Sequence, residues 1–194
     1  SSAENSRGRG RLFVISGPSG VGKGTVVRAL LEARPDLRFA VSYTTRKSRP
    51  GEVDGVHYRF IDDETFGAIA DAGGFLEWAE IFGHRSGTPA ADVEEARSEG
   101  ADVLLEVDLQ GARSVRVKAP DAVLIFLQPP SEEELERRLR ERGTEEGEEL
   151  ERRLSEAKRE LAAAPEFDHL VVNDQVDRAV REVLAIIEPS KESE

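Results

Sequence analysis

Hydrophobic and polar positions divide most of the chain into short apolar runs that alternate with stretches of helical pattern. Each apolar run has consecutive apolar residues, so both faces of the strand it predicts would be buried, as in a central parallel strand. The predicted strands are RLFVIS (11–16), ADVLLEVD (101–108), DAVLIFLQ (121–128) and DHLVVN (168–173), and the predicted helices are 23–33, 109–118, 131–142 and 175–187. The alternation predicts an α/β fold with a three-layer core around a parallel sheet.

Two segments break this alternation. The Thr-, Arg- and Gly-rich stretch 38–91 has strand and turn signals instead of a strand-helix unit, which predicts a small mixed α/β subdomain. The sequence RERGTEEGEEL interrupts a charge-dense helical region and indicates a helical lid. The expected division is a core at 11–37, 92–138 and 155–188, the subdomain at 38–91, a lid at 139–154, and flexible polar tails at 1–10 and 189–194.

Composition narrows the class of protein. The 194 residues fit one domain with inserted subdomains, and they include no cysteine for a disulfide framework. No apolar run approaches the ~20 residues of a membrane helix, and the first residues lack the apolar segment of a secretory signal, so a cytoplasmic location is expected. The net charge of −12 argues against general nucleic-acid binding. We therefore expect no nucleic-acid partner, no membrane partner and no obligatory protein partner.

A glycine-rich sequence follows the first predicted strand and precedes the first predicted helix. GPSGVGKGT matches the phosphate-binding P-loop through its G-x-x-x-x-G-K part. Its glycines let backbone N–H groups turn onto phosphate oxygens, and the lysine adds a charge that can follow the transferred phosphate. The alternative is a strand-to-helix turn with an exposed lysine. The predicted ATP-binding residues here are Gly17, Pro18, Ser19, Gly20, Val21, Gly22, Lys23, Gly24 and Thr25.

Gly24 stands where a hydroxyl residue usually follows the lysine. GKGT also resembles the loop of adenylate kinases, so the departure weakens the case for a metal-binding hydroxyl without weakening the phosphate site. We expect Mg²⁺ as a cofactor that comes with ATP, and no residue is assigned as its ligand. Asp108 ends the apolar run DVLLEVD, where the second element of a P-loop site would lie. It is alternatively a cap of the following helix.

The subdomain carries residues suited to a second nucleotide. Arg46 and Arg49 lie close together in a predicted loop, where they can clamp a phosphate, and Tyr58 is a further donor. Glu77 lies among apolar neighbours, where a carboxylate needs hydrogen-bond donors. The N1–H and amino group of guanine supply two adjacent donors, whereas adenine presents an acceptor at N1. The alternatives are solvated surface arginines and a Glu77 paired with a nearby arginine.

Taken in order, these motifs resemble guanylate kinases from about residue 11 to 187. The motifs that carry the resemblance are SGPSGVGKGT, VSYTTRKSRPGEVDGVHYRF, FLEWAE, SGTP, LLEVDLQGAR, PPSEEELERRLRERGTE and VVND. The family transfers the terminal phosphate of ATP to GMP, and its fold has a P-loop core, a GMP-binding insertion and a lid. The resemblance thus implies ATP and GMP as the substrates of this chain.

The resemblance also implies roles for individual residues. The catalytic residues would be Lys23, Arg46, Arg138, Arg142 and Arg153, of which the last three come from the lid region. Asn173 matches a position near the ATP base. The implied GMP-binding residues are Ser42, Arg46, Arg49, Tyr58, Glu77, Ser86, Thr88 and Asp108.

The chain departs from the family where members often have NYYGT. Here the sequence is HRSGT, so Ser86 replaces a tyrosine that usually donates to the GMP phosphate, and the neighbouring Arg85 is a possible substitute. Two other functions stay open at this point. One is a guanylate-kinase-like scaffold that binds proteins, although such domains typically lose the loop glycines and lysine that this chain keeps. The other is a P-loop kinase with a different acceptor.

Overall fold

The computed structural model describes residues 8–141 and 147–188. Residues 1–7 of the predicted N-terminal tail, residues 142–146 of the predicted lid, which include Arg142, and the whole predicted C-terminal tail at 189–194 lie outside the described residues. The strands are β1 (Leu12–Ser16), β2 (Arg38–Phe39), β3 (Ser42–Thr44), β4 (Tyr58–Phe60), β5 (Phe75–Ile81), β6 (His84–Pro89), β7 (Val103–Glu106), β8 (Val123–Gln128) and β9 (His169–Val172). The helices are α1 (Lys23–Ala33), α2 (Asp63–Asp71), α3 (Ala90–Ser98), α4 (Leu109–Lys118), α5 (Glu132–Glu141), α6 (Glu148–Leu161) and α7 (Val176–Ile187), and a 3₁₀ turn covers Ala164–Glu166.

A five-stranded sheet has the strand order β2-β7-β1-β8-β9. The pairs β2–β7, β1–β8 and β8–β9 are all parallel, which confirms the α/β class and the parallel sheet. Every residue of β1 is buried, and the interior of β8 is buried as well, because consecutive apolar residues fill both faces of these strands. The four predicted strands and four predicted helices all appear, with ends that differ from the predicted ones by no more than two residues.

The expectation that β9 is buried on both faces is wrong. Its first two residues are exposed, and Leu170 keeps 50% of its surface in contact with solvent. β9 is the last strand of the sheet, so it has a neighbouring strand on one side only. An apolar run therefore predicted the strand correctly but not its place at the edge.

A second, four-stranded sheet has the order β4-β3-β6-β5. β3 pairs in parallel with β4, whereas β6 runs antiparallel to both β3 and β5. Helix α2 packs on this sheet through the buried Phe66, whose ring stacks on Phe75 at 4.4 Å between centroids. The Asp62 side chain starts α2 by accepting a hydrogen bond from the Thr65 N–H at 2.7 Å. Residues 42–89 thus hold a mixed sheet with its own helix.

The chain forms two compact units. One contains residues 1–12, 36–105 and 110–122, and the other contains 13–35, 106–109 and 123–194. The first unit holds the four-stranded sheet and also β2, β7, α3 and α4, so it extends beyond the predicted subdomain at 38–91. The second holds β1, β8, β9, α1 and the helices from α5 onward. None of the described helices combines the length and the apolar character that crossing a membrane requires.

Replacing Gly87 in β6 or Gly67 in α2 by alanine should change the free energy of unfolding in opposite directions. A Cβ atom at Gly87 in β6 would lie 2.7 Å from Trp78 Cβ and 2.9 Å from the Glu77 carbonyl oxygen. We expect Gly87→Ala to lower the free energy of unfolding by about 1–3 kcal/mol, because the added atom overpacks the sheet. In α2, a Cβ at Gly67 meets only the Arg85 guanidinium at 3.6 Å or more, an ordinary contact.

The matched variant Gly67→Ala should raise the free energy of unfolding by about 0.5–1 kcal/mol, because alanine loses less backbone entropy in a helix than glycine does. Urea denaturation of the two variants and the parent measures both changes. A Gly87→Ala protein as stable as the parent would contradict the packing described for this sheet.

Candidate active site

The glycine-rich loop joins β1 to α1 and leaves the start of that helix open. The residue before α1 is Gly22, whose backbone is left-handed with φ of +93°. As a glycine, it has no side chain to offer as a cap. No hydrogen-bonding side-chain cap and no first-turn acid occur at this helix among the described residues. No side-chain cap therefore competes with an anion for this helix N-terminus, where the helix dipole also favours negative charge.

Gly17 begins this loop against the backbone of the neighbouring strand β8. A Cβ atom at Gly17 would lie 2.5 Å from the Leu127 carbonyl oxygen, closer than real Cβ contacts occur. Backbone atoms have no alternative rotamer, so only glycine allows this approach. The loop therefore lies directly on the sheet.

Lys23, the first residue of α1, turns its side chain back over the loop. Its Nζ donates hydrogen bonds to the carbonyl oxygens of Gly17 at 2.6 Å and of Pro18 at 3.4 Å. The ammonium charge is thus held beside the loop, where it adds to the positive potential of the helix N-terminus.

Three carboxylates accompany this charge. Partial desolvation raises the pKa of Glu106 at the end of β7, and the nearby Lys23 ammonium opposes that rise. Burial likewise raises the pKa of Glu160 on α6, where Lys23 again acts in the opposite direction and Asp108 adds to the rise. Asp108, predicted to contact GMP, thus interacts electrostatically with Glu160, a carboxylate that also feels the Lys23 ammonium.

The room beside Gly24 bears on metal binding. A Cβ at Gly24 would meet only the Glu106 Oε1 atom, at 4.0 Å, so a small side chain fits there. Among residues 8–141 and 147–188, no group of three or more acidic or histidine side chains is arranged to hold a metal ion. Mg²⁺ usually takes one or two carboxylates together with substrate phosphates and water. Glu106 and Asp108 fit that limited role.

Arg138 and Asn173 meet the loop at the Val21 carbonyl. The Asn173 side chain donates from Nδ2 to this oxygen at 2.8 Å, and Arg138 donates to it from Nη1 at 3.4 Å. Arg138 also donates from Nη2 to the Asn173 carbonyl at 3.2 Å and from Nε to Glu134 at 3.2 Å. Arg153, also predicted to be catalytic, lies half-buried on α6.

In the other unit, the predicted acceptor-phosphate residues cluster around Glu52. Both Glu52 oxygens accept from the Arg46 guanidinium, at 2.8 and 2.9 Å, and Oε1 also accepts from the Arg49 backbone N–H at 2.7 Å. Arg46 lies over the Tyr58 ring, with its central carbon 5.2 Å from the ring centroid. The structure thus places Arg46 against Tyr58 and holds the Arg49 backbone at the same carboxylate.

The hydrogen bonds of the Glu52 carboxylate to Arg46 and to the Arg49 backbone lower its pKa to about 2. The carboxylate is therefore ionised under all ordinary conditions. It orients one arginine and fixes the backbone of the next.

The predicted base-reading residues Glu77 and Thr88 are cross-strand neighbours in β5 and β6. The Thr88 hydroxyl, on a buried residue, donates to Glu77 Oε1 at 2.8 Å. Ser42 lies on β3, directly across from Tyr58 on β4. The Glu77 carboxylate is thus held by a hydroxyl on the adjacent strand.

Arg85 and Ser86, where the chain departs from the NYYGT pattern, point to different partners. The Arg85 guanidinium donates to the Asp63 carbonyl at 2.7 Å and lies over the Phe66 ring at 4.8 Å, so it belongs to the packing of α2. Ser86 Oγ donates to Thr44 Oγ1 at 2.9 Å. This geometry gives no support to Arg85 as a substitute for the tyrosine.

Glu52, Glu106 and Glu160 were not among the residues predicted from the sequence. A signal for Glu52 exists in the turn R-P-G-E, where an acid three residues after Arg49 can bond back to its N–H. Glu106 precedes Asp108 by two residues, which places both acids near the end of one apolar strand. No local signal marks Glu160, which lies within a run of charged helical residues.

Comparisons with known proteins agree on one family. The guanylate kinase family model matches residues 9–190. A guanylate kinase of Mycobacterium sp. (strain MCS) is 56% identical over 183 residues, which cover 93% of this chain and 92% of that protein. A guanylate kinase of Thermus thermophilus is 54% identical over 92% of this chain and 81% of its own length.

A solved structure supports the same assignment. The crystal structure of guanylate kinase from Anaplasma phagocytophilum superposes with a TM-score of 0.72 at 31% identity, covering 95% of this chain and 88% of that one. It has the P-loop fold that the sequence predicts. The sequence match and the shared fold extend over nearly the whole chain, and on that basis the chain belongs to the guanylate kinase family.

Proposed function

We propose that this protein transfers the γ-phosphoryl group of ATP to GMP and gives ADP and GDP. The observation that carries the choice of acceptor is the Glu77 carboxylate, which the buried Thr88 hydroxyl holds from one side at 2.8 Å. A carboxylate fixed in this way can accept both the N1–H and the amino group of guanine, whereas it would meet the N1 acceptor of adenine with repulsion. Guanine is therefore the base that fits.

The donor would bind at the glycine-rich loop. The open N-terminus of α1 and the Lys23 ammonium supply N–H groups and positive charge for the ATP phosphates. Mg²⁺ would be held chiefly by those phosphates and by water, with Glu106 and Asp108 as the carboxylates on the protein side. When bound, Mg²⁺ would supply positive charge beside the transferred group.

The acceptor phosphate would bind to Arg46, Arg49 and Tyr58. The GMP phosphate is already an anionic nucleophile, so the reaction requires no general base. The protein positions the phosphates and neutralises their charge, which assigns catalysis to Lys23 and the arginines. Arg138 and Arg153, together with Arg142 outside the described residues, are the cations proposed to reach the transferred phosphoryl group.

The same proposal extends to dGMP, because the assigned residues contact the base and the phosphate and none is assigned to the ribose 2′-hydroxyl. A role in the recycling of purine nucleotides follows from the reaction. We also propose a cytoplasmic location, since a chain without cysteine gains nothing from an oxidising compartment.

A coupled assay of ADP formation tests the function directly. The purified protein is supplied with ATP and Mg²⁺, and with GMP, dGMP, AMP, CMP or UMP in turn. We expect turnover with GMP and dGMP, and at least a hundredfold lower kcat/KM with the other acceptors, a ratio on the order of that set by unpaired buried polar groups. Turnover with none of the five would favour a scaffold, and preference for another acceptor would identify a different kinase.

The Glu77 assignment predicts a selective loss of GMP use in Glu77→Gln. An amide turns only one acceptor toward the two guanine donors, so the transition state should lose about 2–4 kcal/mol. The measurement is kcat/KM for GMP, with KM for ATP as the internal reference. Glu80→Gln, an exposed change on the same strand, is the matched control and should leave both values unchanged. GMP turnover within threefold of the parent would remove Glu77 from the base site.

Gly24→Ser restores the usual hydroxyl and tests whether the loop needs it. The new side chain has room, since Glu106 Oε1 is the nearest atom at 4.0 Å from the added Cβ. We expect a modest change in the Mg²⁺ concentration that gives half-maximal rate, and a parent that is already active. A parent without GMP-dependent ATP turnover that gains it in Gly24→Ser would show that the natural loop is disabled.

The Glu52 contacts predict a pH dependence of stability at acid pH. A carboxyl with a pKa of about 2 in the folded protein and an ordinary higher pKa when unfolded stabilises the fold above the higher value. This stabilisation is lost as the pH falls toward 2.

The difference in Tm between the parent and Glu52→Gln should therefore be constant from pH 6 to 8 and should shrink below about pH 4.5. The matched control is Glu99→Gln, which removes an exposed ion pair with Arg38 in the same unit. It should have a smaller effect on Tm at neutral pH and none on KM for GMP. A Tm difference that persists unchanged at pH 3 would contradict the described ion pair.

A further inference from the structure

We propose that Asn173 is a positioning residue that fixes one peptide of the phosphate-binding loop, the peptide between Val21 and Gly22. This inference rests on the proposed ATP site, and it gives Asn173 a role different from contact with the ATP base. Asn173 is 4% exposed, and its side chain donates to the Val21 carbonyl oxygen at 2.8 Å across 152 residues of sequence.

The orientation of the Asn173 amide follows from chemistry. A carbonyl oxygen accepts hydrogen bonds only, so the amide nitrogen of Asn173 must face Val21. The backbone of Asn173 is fixed at the same time, because its N–H donates to the Gln128 carbonyl of β8 at 2.8 Å. The donor is thus attached to the parallel sheet.

The hydrogen bond to the Val21 carbonyl also determines where the Gly22 N–H points. In a trans peptide the carbonyl and the N–H of the next residue point in opposite directions within one plane. A carbonyl held toward Asn173 therefore holds the Gly22 N–H away from Asn173. Backbone N–H groups of this kind bind phosphate in such loops.

The Val21–Gly22 peptide adjoins a residue that does little to hold its own backbone conformation. Gly22 has φ of +93°, and glycine passes between left- and right-handed conformations at little cost. A reversed peptide would point a carbonyl oxygen, with its partial negative charge, in the direction that the N–H now takes. Gly22 also leaves room for the amide, because a Cβ there would lie 2.9 Å from Asn173 Nδ2.

The Arg138 hydrogen bond to the Val21 carbonyl oxygen is longer than the one from Asn173. Arg138 reaches the Val21 carbonyl at 3.4 Å, a length at which hydrogen bonds are weak, and shares its guanidinium with Asn173 and Glu134. Loss of the Asn173 donor would therefore leave a buried acceptor poorly satisfied, and the peptide would reorient to satisfy it.

The test compares Asn173→Ala and Asn173→Asp with the parent. Alanine removes the donor, and aspartate keeps the shape but places oxygen lone pairs against the Val21 carbonyl. We expect kcat/KM for ATP to fall about ten- to hundredfold in the alanine variant, the range for an unsatisfied buried acceptor, and further in the aspartate variant. The GMP dissociation constant, measured by calorimetry below the Tm of each variant, should stay within twofold of the parent value. Such a result would also show that the variants are folded.

Two nucleotide donors separate positioning from base contact. Inosine triphosphate carries the same phosphates as ATP but lacks the adenine amino group. A positioning role predicts that kcat/KM falls by the same factor for both donors, whereas a base contact predicts that the ATP to ITP ratio changes. Asp174→Asn is the matched control, since Asp174 is the next residue and pairs with Arg178 at 2.7 Å on the surface.

A changed ATP to ITP ratio, or unchanged kcat/KM for ATP in Asn173→Ala, would overturn the inference. A merely structural role would lower Tm and leave the kinetic constants of the folded fraction unchanged, and it too would overturn the inference. A parent that is inactive with ATP and GMP would overturn the proposed function instead, so the two failures are distinguishable.

Discussion

The proposed ATP site depends on one constraint, which is that the N-terminus of α1 has no side-chain cap. A helix that starts at a left-handed glycine has no side chain with which to satisfy its first N–H groups. The same glycine permits the loop conformation, and Gly17 permits contact with the backbone of β8. A loop with so few side chains is held by bonds to its carbonyl oxygens, and Lys23, Arg138 and Asn173 supply them. On the proposed function, the N–H groups of a loop held in this way would face the ATP phosphates.

The acceptor half is held by charge and strand pairing instead of by a glycine-rich backbone. Arg46 is fixed by Glu52, six residues along the chain, and Glu77 is fixed by Thr88 across the β5–β6 pair. Each functional group thus has a partner within its own unit that fixes its direction before a ligand arrives. Preorganisation of this kind lowers the entropy that binding costs, and it also favours the base with matching donors.

The sequence predicts the fold better than the side-chain contacts of the site. Apolar runs and the glycine-rich loop are local signals, and they predicted β1, β7, β8, α1 and the approximate limits of the other core elements. The exposure of β9 was missed because an apolar run does not show what covers it. The Glu77–Thr88 pair depends on the register of β5 and β6, which shifts between Phe75 and Glu77. The direction of the Asn173 side chain depends on a contact between residues far apart in sequence.

Arg138 and Asn173 both donate to the Val21 carbonyl oxygen, but a guanidinium and an amide differ in their attraction to phosphate. A guanidinium forms much stronger, bidentate hydrogen bonds with phosphate than with a peptide carbonyl. Arg138 can therefore exchange its long contact with Val21 for a phosphoryl group at small cost. A neutral amide has no comparable attraction to phosphate, and a short bond on a buried residue retains it at Val21. The loop thus keeps its shape from the uncharged contact, and on the proposed function the charged one could move to the transferred phosphoryl group.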